Sequence, residues 1–449
     1  MHIFVVCNRM KKKKAHIILT ALLWALLSSP ALAQDYPWLS HNNLMVEARA
    51  HYGFFWHHHF EMQKFHAHYP AVEFSVFQNT YGKKEWEAIY NYPLIGVTFY
   101  HANFGLNYEH NPEVGKALGS VFALYPFINY PLNRNENSQI TFKLGIGLAF
   151  LTECFDHFNN YQNYAIGSHL NAAANLSFEY RQRITYQLFS VASFGLTHFS
   201  NGSTRLPNYG LNTFSGAWGL AYYLRDPRIN LTPSKRPEYL SFEFDKKRWL
   251  SIDINYGIGF KNVSQTFGGE NALFYRVHDL STYLLAQFTL CSRAGIGLDL
   301  ALDLSDQTLS DHYVDNDGIH VKVENKQNGS SNGQTIIYDI KAYQMTKPNI
   351  SLCYSMTMNR LSYFFEFGWH LKIKPYTDLS KGNIFQKASM RYQLKDNLYA
   401  HLALMTHFGR ADYLCVGLGY RFNLKYYLND EKHTKNYPPG MGKRRFRFL

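Results

Sequence analysis

The stretch Ile-Thr-Phe-Lys-Leu-Gly-Ile-Gly-Leu-Ala-Phe at residues 140–150 decides the fold, because every second side chain in it is apolar. The even positions carry Ile, Phe, Leu, Ile, Leu and Phe, whereas the odd positions carry Thr, Lys, Gly, Gly and Ala. Successive side chains of a β-strand point to opposite faces, so this order gives one apolar face and one small or polar face. Such alternation over about 10 residues is typical of a strand that crosses an outer membrane.

Four further segments repeat this alternation, at residues 250–260, 295–305, 361–373 and 414–422. A half-buried soluble sheet also alternates, so a soluble β-sandwich is the alternative that a single segment would leave open. Five segments favour an all-β, transmembrane antiparallel β-barrel of about 14–16 strands. The predicted strands lie near residues 43–56, 70–80, 92–103, 117–131, 138–152, 167–180, 185–200, 212–225, 249–262, 278–290, 294–305, 346–357, 361–374, 383–394, 398–408 and 412–424.

The N-terminal residues 1–33 have the order of a secretory signal peptide. Lys11 to Lys14 precede an apolar run at 17–27 and a small-residue stretch at 30–33, which predicts cleavage after Ala33. The apolar run is too short to span a bilayer as a helix. Together with the alternating strands, the signal predicts export to a bacterial outer membrane.

Composition and charge agree with this class. Aromatic residues make up 17% of the 449 residues, which suits the interfacial girdles of a membrane barrel. The formal net charge is +12, and the signal carries five basic residues and no acid, so the mature chain stands near +7. Basic loops suit phosphorylated lipid. Nucleic acid is excluded as a partner, because an exported barrel does not meet it.

The chain divides into strands at 34–226, further strands at 227–424 and a basic tail at 425–449, with a long surface loop at 306–334. Thr-His-Phe at 406–408 echoes Thr-His-Phe at 197–199, and this repeat suggests duplication of an eight-strand unit. Two tandem eight-stranded barrels are therefore the alternative to one large barrel. His407 shares parity with polar and small residues, so it is expected to face the lumen and not to form a second site.

One strand end carries a pattern that points to chemistry. His-Phe-Ser-Asn-Gly at 198–202 is followed by Pro-Asn-Tyr-Gly at 207–210 and by a strand from Asn212. Here the sequence resembles the lipid A 3-O-deacylase (PagL-type) family, also described as acyloxyacyl hydrolases. The resemblance implies an eight-stranded barrel with this motif across its last two strands.

Side-chain parity places the motif on the lipid side of the barrel. His198 and Ser200 continue the apolar row of the seventh strand, and Asn212 continues that of the eighth. Unsatisfied polar groups are costly on a lipid-facing surface, which favours a site for a lipid substrate.

The motif residues suit acyl transfer to water. We expect Ser200 to be the nucleophile and His198 the general base, with backbone N–H groups of Asn201 and Gly202 stabilising the oxyanion. The resemblance adds Asn208 as an oxyanion or loop-shaping group. The substrate it implies is lipid A in the outer leaflet, attacked at an acyl ester. Neither a cofactor nor a metal is required.

Asn212 stands where the pattern of the family has a Glu, and no acid occurs from residue 198 through 225. An Asn oxygen can accept from the imidazole N–H but cannot stabilise the imidazolium by charge. Glu153 and Asp156, on a loop predicted to be extracellular, are the alternative sources of charge. The prediction is a carboxylic ester hydrolase; the alternatives are a non-catalytic porin-like or binding barrel with a degenerate site and an outer-membrane phospholipase. A homodimer is left open.

Other polar clusters have structural interpretations. The histidines near the end of the first strand are interpreted as an exposed aromatic loop instead of a metal site; they are His51, His57, His58, His59, His66 and His68. Interior packing is expected for Asp253, Asp299, Asp303, Glu366 and Lys372. The cysteines after the signal match no metal motif, and their bridging stays undecided; they are Cys154, Cys291, Cys353 and Cys415.

Overall fold

A computed structural model describes residues 44–57, 60–65, 67–81, 84–105, 116–227, 248–263, 273–289, 291–305, 312–315, 318–321, 346–371, 383–407 and 410–426. The predicted signal peptide and most of the predicted loop at 306–334 lie outside these residues, as does the tail from 427 onward. No helix in the part of the chain that the structure describes is long and apolar enough to span a membrane.

The first half of the chain forms a closed barrel of eight antiparallel strands. Each strand pairs with its neighbour in sequence, and β8 returns to pair with β1, where Met45 lies opposite Tyr223. A 3-10 helix at Phe60–Phe65 and a short helix α1 at Glu85–Ile89 stand in two of the connections. The strands are β1 (Leu44–Phe55), β2 (His68–Asn79), β3 (Leu94–Asn103), β4 (Ser120–Arg134), β5 (Ser138–Leu151), β6 (Leu170–Arg183), β7 (Leu188–Ser200) and β8 (Leu211–Tyr223).

The second half forms another closed barrel of eight antiparallel strands. It closes where β18 pairs with β9 and Leu414 lies opposite Phe260. Its strands are β9 (Arg248–Val263), β10 (Leu273–Thr289), β11 (Ser292–Asp303), β14 (Thr346–Met358), β15 (Leu361–His370), β16 (Ile384–Lys395), β17 (Leu398–His407) and β18 (Arg410–Tyr426). Two further strands, β12 (His312–Asp315) and β13 (Gly318–Val321), pair as a separate hairpin within the predicted loop.

The structure confirms the all-β class and an antiparallel barrel architecture, with sixteen barrel strands in the described residues. These strands form the two tandem barrels of the sequence alternative and not one large barrel. The reason lies in the hydrogen bonds: the eleven residue pairs between β1 and β8 use the edges that a larger barrel would need for further strands. The predicted tail also begins too early, because β18 continues to Tyr426 opposite Arg248.

Apolar side chains stand on the outside of both barrels, and polar side chains fill the inside. Trp218 and Leu298 are 57% and 58% exposed on the outer faces, whereas Glu73 and Asp299 are buried in the lumens. A soluble barrel would have the reverse arrangement. This distribution is that of a barrel whose outer wall faces lipid.

The first lumen is packed with ion pairs. Arg49 lies 2.9 Å from a Glu47 carboxylate oxygen and 2.8 Å from one of Glu179, and it also pairs with Glu73. The cations of the network are Arg49, Lys143 and Arg181, and the anions are Glu47, Glu73 and Glu179. Eight strands enclose a space that side chains can fill, and here charges of both signs fill it.

The second lumen is packed in the same way. Asp253 lies 2.8 Å from Arg421 and 3.2 Å from Arg391, and Lys387 lies 2.8 Å from Asp279. The predicted interior residues Asp253, Asp299, Asp303 and Glu366 are all buried, while Lys372 lies outside the described residues. The ion pairs occupy the space that a porin-like channel would need for water.

The two barrels lie side by side with the same polarity. We call the end that carries the β7–β8 loop (201–210) the loop end, and the opposite end the turn end. At the loop end the Ser203 hydroxyl donates to the Ala411 carbonyl at 2.8 Å. At the turn end the Tyr90 hydroxyl donates to the Cys291 carbonyl at 3.2 Å. Like ends of the two barrels therefore meet.

Candidate active site

His198 and Asn212 form a registered cross-strand pair between β7 and β8 near the loop end. The imidazole Nδ1 lies 2.6 Å from the Asn212 side-chain oxygen. A carbonyl oxygen accepts only, so Nδ1 carries the proton and Nε2 carries the lone pair. Both residues lie on the outer face, as the parity of their strands requires, because their neighbours Thr197 and Thr213 are buried in the lumen. The imidazole is thus oriented by an uncharged partner.

Ser200 continues the same outer row of β7, two residues beyond His198. Its hydroxyl accepts hydrogen bonds from Asn208 Nδ2 at 2.9 Å and from the Gly202 backbone N–H at 3.2 Å. The Asn201 backbone N–H donates to Asn208 Oδ1 at 3.2 Å. Among the described residues no hydrogen bond joins Ser200 to His198, and Ser200 is buried under the loop. The structure therefore brings the six motif residues together as two adjacent groups.

The β7–β8 loop is held in an unusual backbone conformation. Gly202, Ser203 and Gly210 all have positive φ, at 65°, 63° and 75°. Gly210 lies against the imidazole, because a Cβ at this position would be only 2.7 Å from His198 Cε1. A side chain at this position would push the loop away from the base. The Asn201 side chain braces the loop by donating to the Arg205 carbonyl at 2.8 Å.

Small side chains flank the two groups on the outer face. Ala174 of β6 lies opposite His198, and Ala172 lies opposite Ser200. Ala172 is exposed and Ala174 half-buried, so only small side chains project from the outer wall beside His198 and Ser200. These two residues were not predicted from the sequence, although the run Asn-Ala-Ala-Ala-Asn at 171–175 indicates a strand face with small side chains. We call this strip of small side chains on the outer wall the groove.

An apolar crevice lies on the other side of the His198–Asn212 pair. It lies between the end of β1, the 3-10 helix and the start of β8. Its lining residues are Phe55, Trp56, His57, Met62, Phe65, Gly210, Leu211 and Asn212. The base therefore stands between two apolar surfaces.

The acids proposed as substitutes for the missing Glu do not contact the imidazole. Asp156 accepts from the backbone N–H groups of Asn159 at 2.7 Å and Phe158 at 3.0 Å, and these bonds lower its pKa. Glu153 is exposed, with no hydrogen bond to His198 among the described residues. Each belongs to the β5–β6 loop, whose own backbone holds Asp156. Asn212 is the partner that the fold supplies.

A second serine and histidine meet an acid inside the first lumen. His51 Nδ1 lies 3.2 Å from Ser215 Oγ, and its Nε2 lies 3.3 Å from Glu73. This group has the carboxylate that the outer site lacks. It is enclosed, however, and the same Glu73 is bound to Arg49 and Lys143. A lipid ester has no room beside it.

The other clusters of histidines and cysteines have structural contacts and form no further site in the described residues. Among the described residues no group of three or more His, Cys, Asp and Glu could hold a metal ion. His68 stacks on Tyr52, while His58, His59 and His66 lie outside the described residues. His407 is buried in the second lumen, as its parity predicts, with its Nε2 2.9 Å from His370 Nε2. Among the described residues, Cys154, Cys291, Cys353 and Cys415 form no disulfide bond.

A lipid-facing barrel with serine, histidine and amide groups gathered on its outer wall is the class expected of a membrane-embedded acyl hydrolase. Family comparison agrees: residues 70–221 match the family "Lipid A 3-O-deacylase (PagL)", and residues 250–424 match "Acyloxyacyl hydrolase, C-terminal domain". The chain belongs to this lipid A deacylase family, which confirms the resemblance seen in the sequence.

The remaining comparisons add little. No curated protein matches the chain. Three similar solved structures are mutants of the Rhodopseudomonas blastica porin, with 5–6% identity, coverage of 84% of this chain and 99% of the porin chain, and a TM-score of 0.15. A TM-score this low carries no argument about function.

Proposed function

We propose that this protein is an outer-membrane esterase that removes an acyl chain from lipid A by a serine–histidine mechanism. The observation that carries the proposal is the contact between His198 and Asn212, which leaves the Nε2 lone pair of His198 available on the outer wall. Ser200 lies two residues further along β7 on the same face. Because polar groups are costly in a lipid-facing position, an imidazole there is expected to have a function. Family membership supplies the substrate class.

The reaction begins when an acyl ester reaches the groove beside Ala172 and Ala174. Ser200 Oγ turns from Asn208 toward His198 and attacks the ester carbonyl carbon, while Nε2 takes the hydroxyl proton. Asn212 holds the imidazole through the bond to Nδ1 and keeps Nε2 as the acceptor. The alcohol leaves with the proton from Nε2. Water then attacks the acyl carbon while Nε2 takes its proton, and Ser200 Oγ leaves with that proton as the free fatty acid is released.

The oxyanion needs donors that are in place before the reaction. Asn208 Nδ2 and the Gly202 N–H both donate to Ser200 Oγ, so they lie close to the oxyanion that forms two bonds away from Oγ. Removing a single such donor typically costs about 10²–10³ in kcat. The Asn201 N–H contributes once Asn208 releases it.

The substrate lies in the same membrane leaflet as the site if the loop end faces outward. With the N-terminus on the periplasmic side, β1 and every odd strand of the first barrel run outward, which puts the end of β7 at the outer rim. Lipid A occupies the outer leaflet there. The localisation and the orientation are part of the proposal.

Mass spectrometry of lipid A from cells with and without the protein tests the function. The wild type should remove the mass of one acyl chain, and Ser200→Ala and His198→Ala should each abolish that loss. His101→Ala is the matched control, since His101 stacks on Phe122 near the loop end of β3, away from the site. All variants should be recovered from the outer-membrane fraction.

A wild-type protein that is folded and inserted but leaves lipid A unchanged would contradict the proposal. The same assay with phospholipid as the substrate separates the two lipid classes. Cleavage of phospholipid alone would assign the site to a phospholipase instead.

A further inference from the structure

The loop that carries the oxyanion donors is held by the other barrel as well as by its own. Ser203 Oγ donates to the Ala411 carbonyl at 2.8 Å, and the Asn262 backbone N–H donates to the Ser203 carbonyl at 3.3 Å. Ala411 and Asn262 belong to β18 and β9 of the second barrel. Both hydrogen bonds fall on one residue of the loop. Ser203 is therefore clamped from outside.

The backbone of this segment needs such support. Ser203 has a φ of 63°, in the left-handed region that residues with a Cβ rarely adopt, and it follows Gly202 at 65°. Conformations of this kind persist only when the surroundings determine them. The partners of the Ser203 hydroxyl and carbonyl in these hydrogen bonds, Ala411 and Asn262, belong to the second barrel.

Apolar packing completes the contact. A Cβ at Gly202 would lie 3.4 Å from Leu404 Cδ1 and 3.8 Å from Leu414 Cβ. These two leucines lie opposite each other on β17 and β18, on the outer face of the second barrel. The nearest side chains to Gly202 thus belong to the other barrel.

Gly202 and Ser203 lie two and three residues after Ser200 in the chain. The Gly202 N–H donates to Ser200 Oγ, and the Asn201 N–H donates to Asn208, whose amide also faces that hydroxyl. A shift of the loop moves these donors together. Catalytic geometry is sensitive at this scale, since a displacement of about 1 Å can cost about a hundredfold in rate.

We propose that the second barrel positions the oxyanion loop of the first, with Leu404, Leu414, Asn262 and the Ala411 carbonyl as positioning groups. The inference rests on the proposed function. It gives the second barrel a part in the reaction without a catalytic residue of its own. The two barrels then form one catalytic unit, and a change in the second barrel where it contacts Gly202 and Ser203 alters the rate at Ser200.

Steady-state kinetics of the purified full-length protein on lipid A in detergent micelles tests this role. Leu414→Ala removes packing from a residue outside the proposed catalytic machinery, and Ser203→Ala removes the hydroxyl that reaches Ala411. We expect kcat to fall about tenfold in Ser203→Ala and severalfold in Leu414→Ala. KM should stay within about twofold, because neither change touches the path of the acyl chain.

Two controls separate positioning from general stability. Val416→Ala truncates the next outward residue of β18, and Tyr90→Phe removes an inter-barrel hydrogen bond at the turn end. Both should keep the wild-type kcat. Unchanged kcat in Ser203→Ala and Leu414→Ala, or equal losses in the controls, would overturn the positioning role while the wild type stays active. An inactive wild type would instead overturn the proposed function.

Discussion

His198 and Asn212 are joined across β7 and β8 by a 2.6 Å contact between the imidazole Nδ1 and the amide oxygen, with Asn212 in the position where the sequence resemblance implies a Glu. The contact fixes the orientation of the ring as a carboxylate would. It differs in charge, because an amide cannot offset the positive imidazolium that the proposed mechanism forms when Ser200 is deprotonated. The site is thus built for orientation with weaker electrostatic support.

Exchanges at Asn212 separate these two contributions. Asn212→Glu should retain or raise kcat, since a carboxylate both accepts from Nδ1–H and stabilises the imidazolium. Asn212→Leu should lower kcat on the order of a hundredfold, because the ring loses its partner. Release of fatty acid from lipid A measures both. Equal rates in all three forms would reject Asn212 as the orienting group.

Ser200 and His198 should behave as one unit in kinetics. If Ser200 attacks only after His198 takes its proton, Ser200→Ala and His198→Ala should each reduce kcat by several orders of magnitude, and the double variant should be hardly worse than either. The quantity to compare is the ratio of the double to the single losses. Losses that multiply would mean that the two residues act in separate steps, and the pairing in the mechanism would have to be abandoned.

Strand periodicity was sufficient to predict the barrel class, about 14–16 strands and the outer-face parity of His198. It could not decide between one barrel and two, because alternation is local whereas closure depends on which edge strands meet. Only the pairing of Met45 with Tyr223 resolves that question. The contact of Ser203 with the second barrel could not be predicted, since it depends on residues distant in sequence.

The charge network of the first lumen should dominate the stability of that barrel. Arg49 contacts Glu47, Glu73 and Glu179, so Arg49→Leu leaves three buried carboxylates with less compensation. Breaking a buried ion pair on one side typically costs about 3–5 kcal/mol. Urea unfolding of the protein refolded into lipid vesicles measures the change. A loss below about 1 kcal/mol would show that water or rearranged partners replace the guanidinium.

The small side chains beside His198 and Ser200 predict that a larger side chain there changes substrate binding and not the chemical step. Ala174 lies opposite His198 on β6, and Ala172 lies opposite Ser200, so a larger side chain at 174 would stand in the groove that the acyl chain needs. Ala174→Leu should raise KM severalfold while leaving the His198–Asn212 contact in place.

The matched control is Ala192→Leu, an exposed position on the outer face of β7 nearer the turn end. Both substitutions add the same apolar side chain to the lipid-facing wall, so neither should weaken insertion. Kinetics on lipid A with progressively shorter acyl chains give a second readout: if the leucine shortens the groove, the KM defect of Ala174→Leu should shrink as the chain shortens. A KM increase shared by both variants, or independent of chain length, would place the acyl chain elsewhere, with the apolar crevice beside Trp56 as the next surface to test.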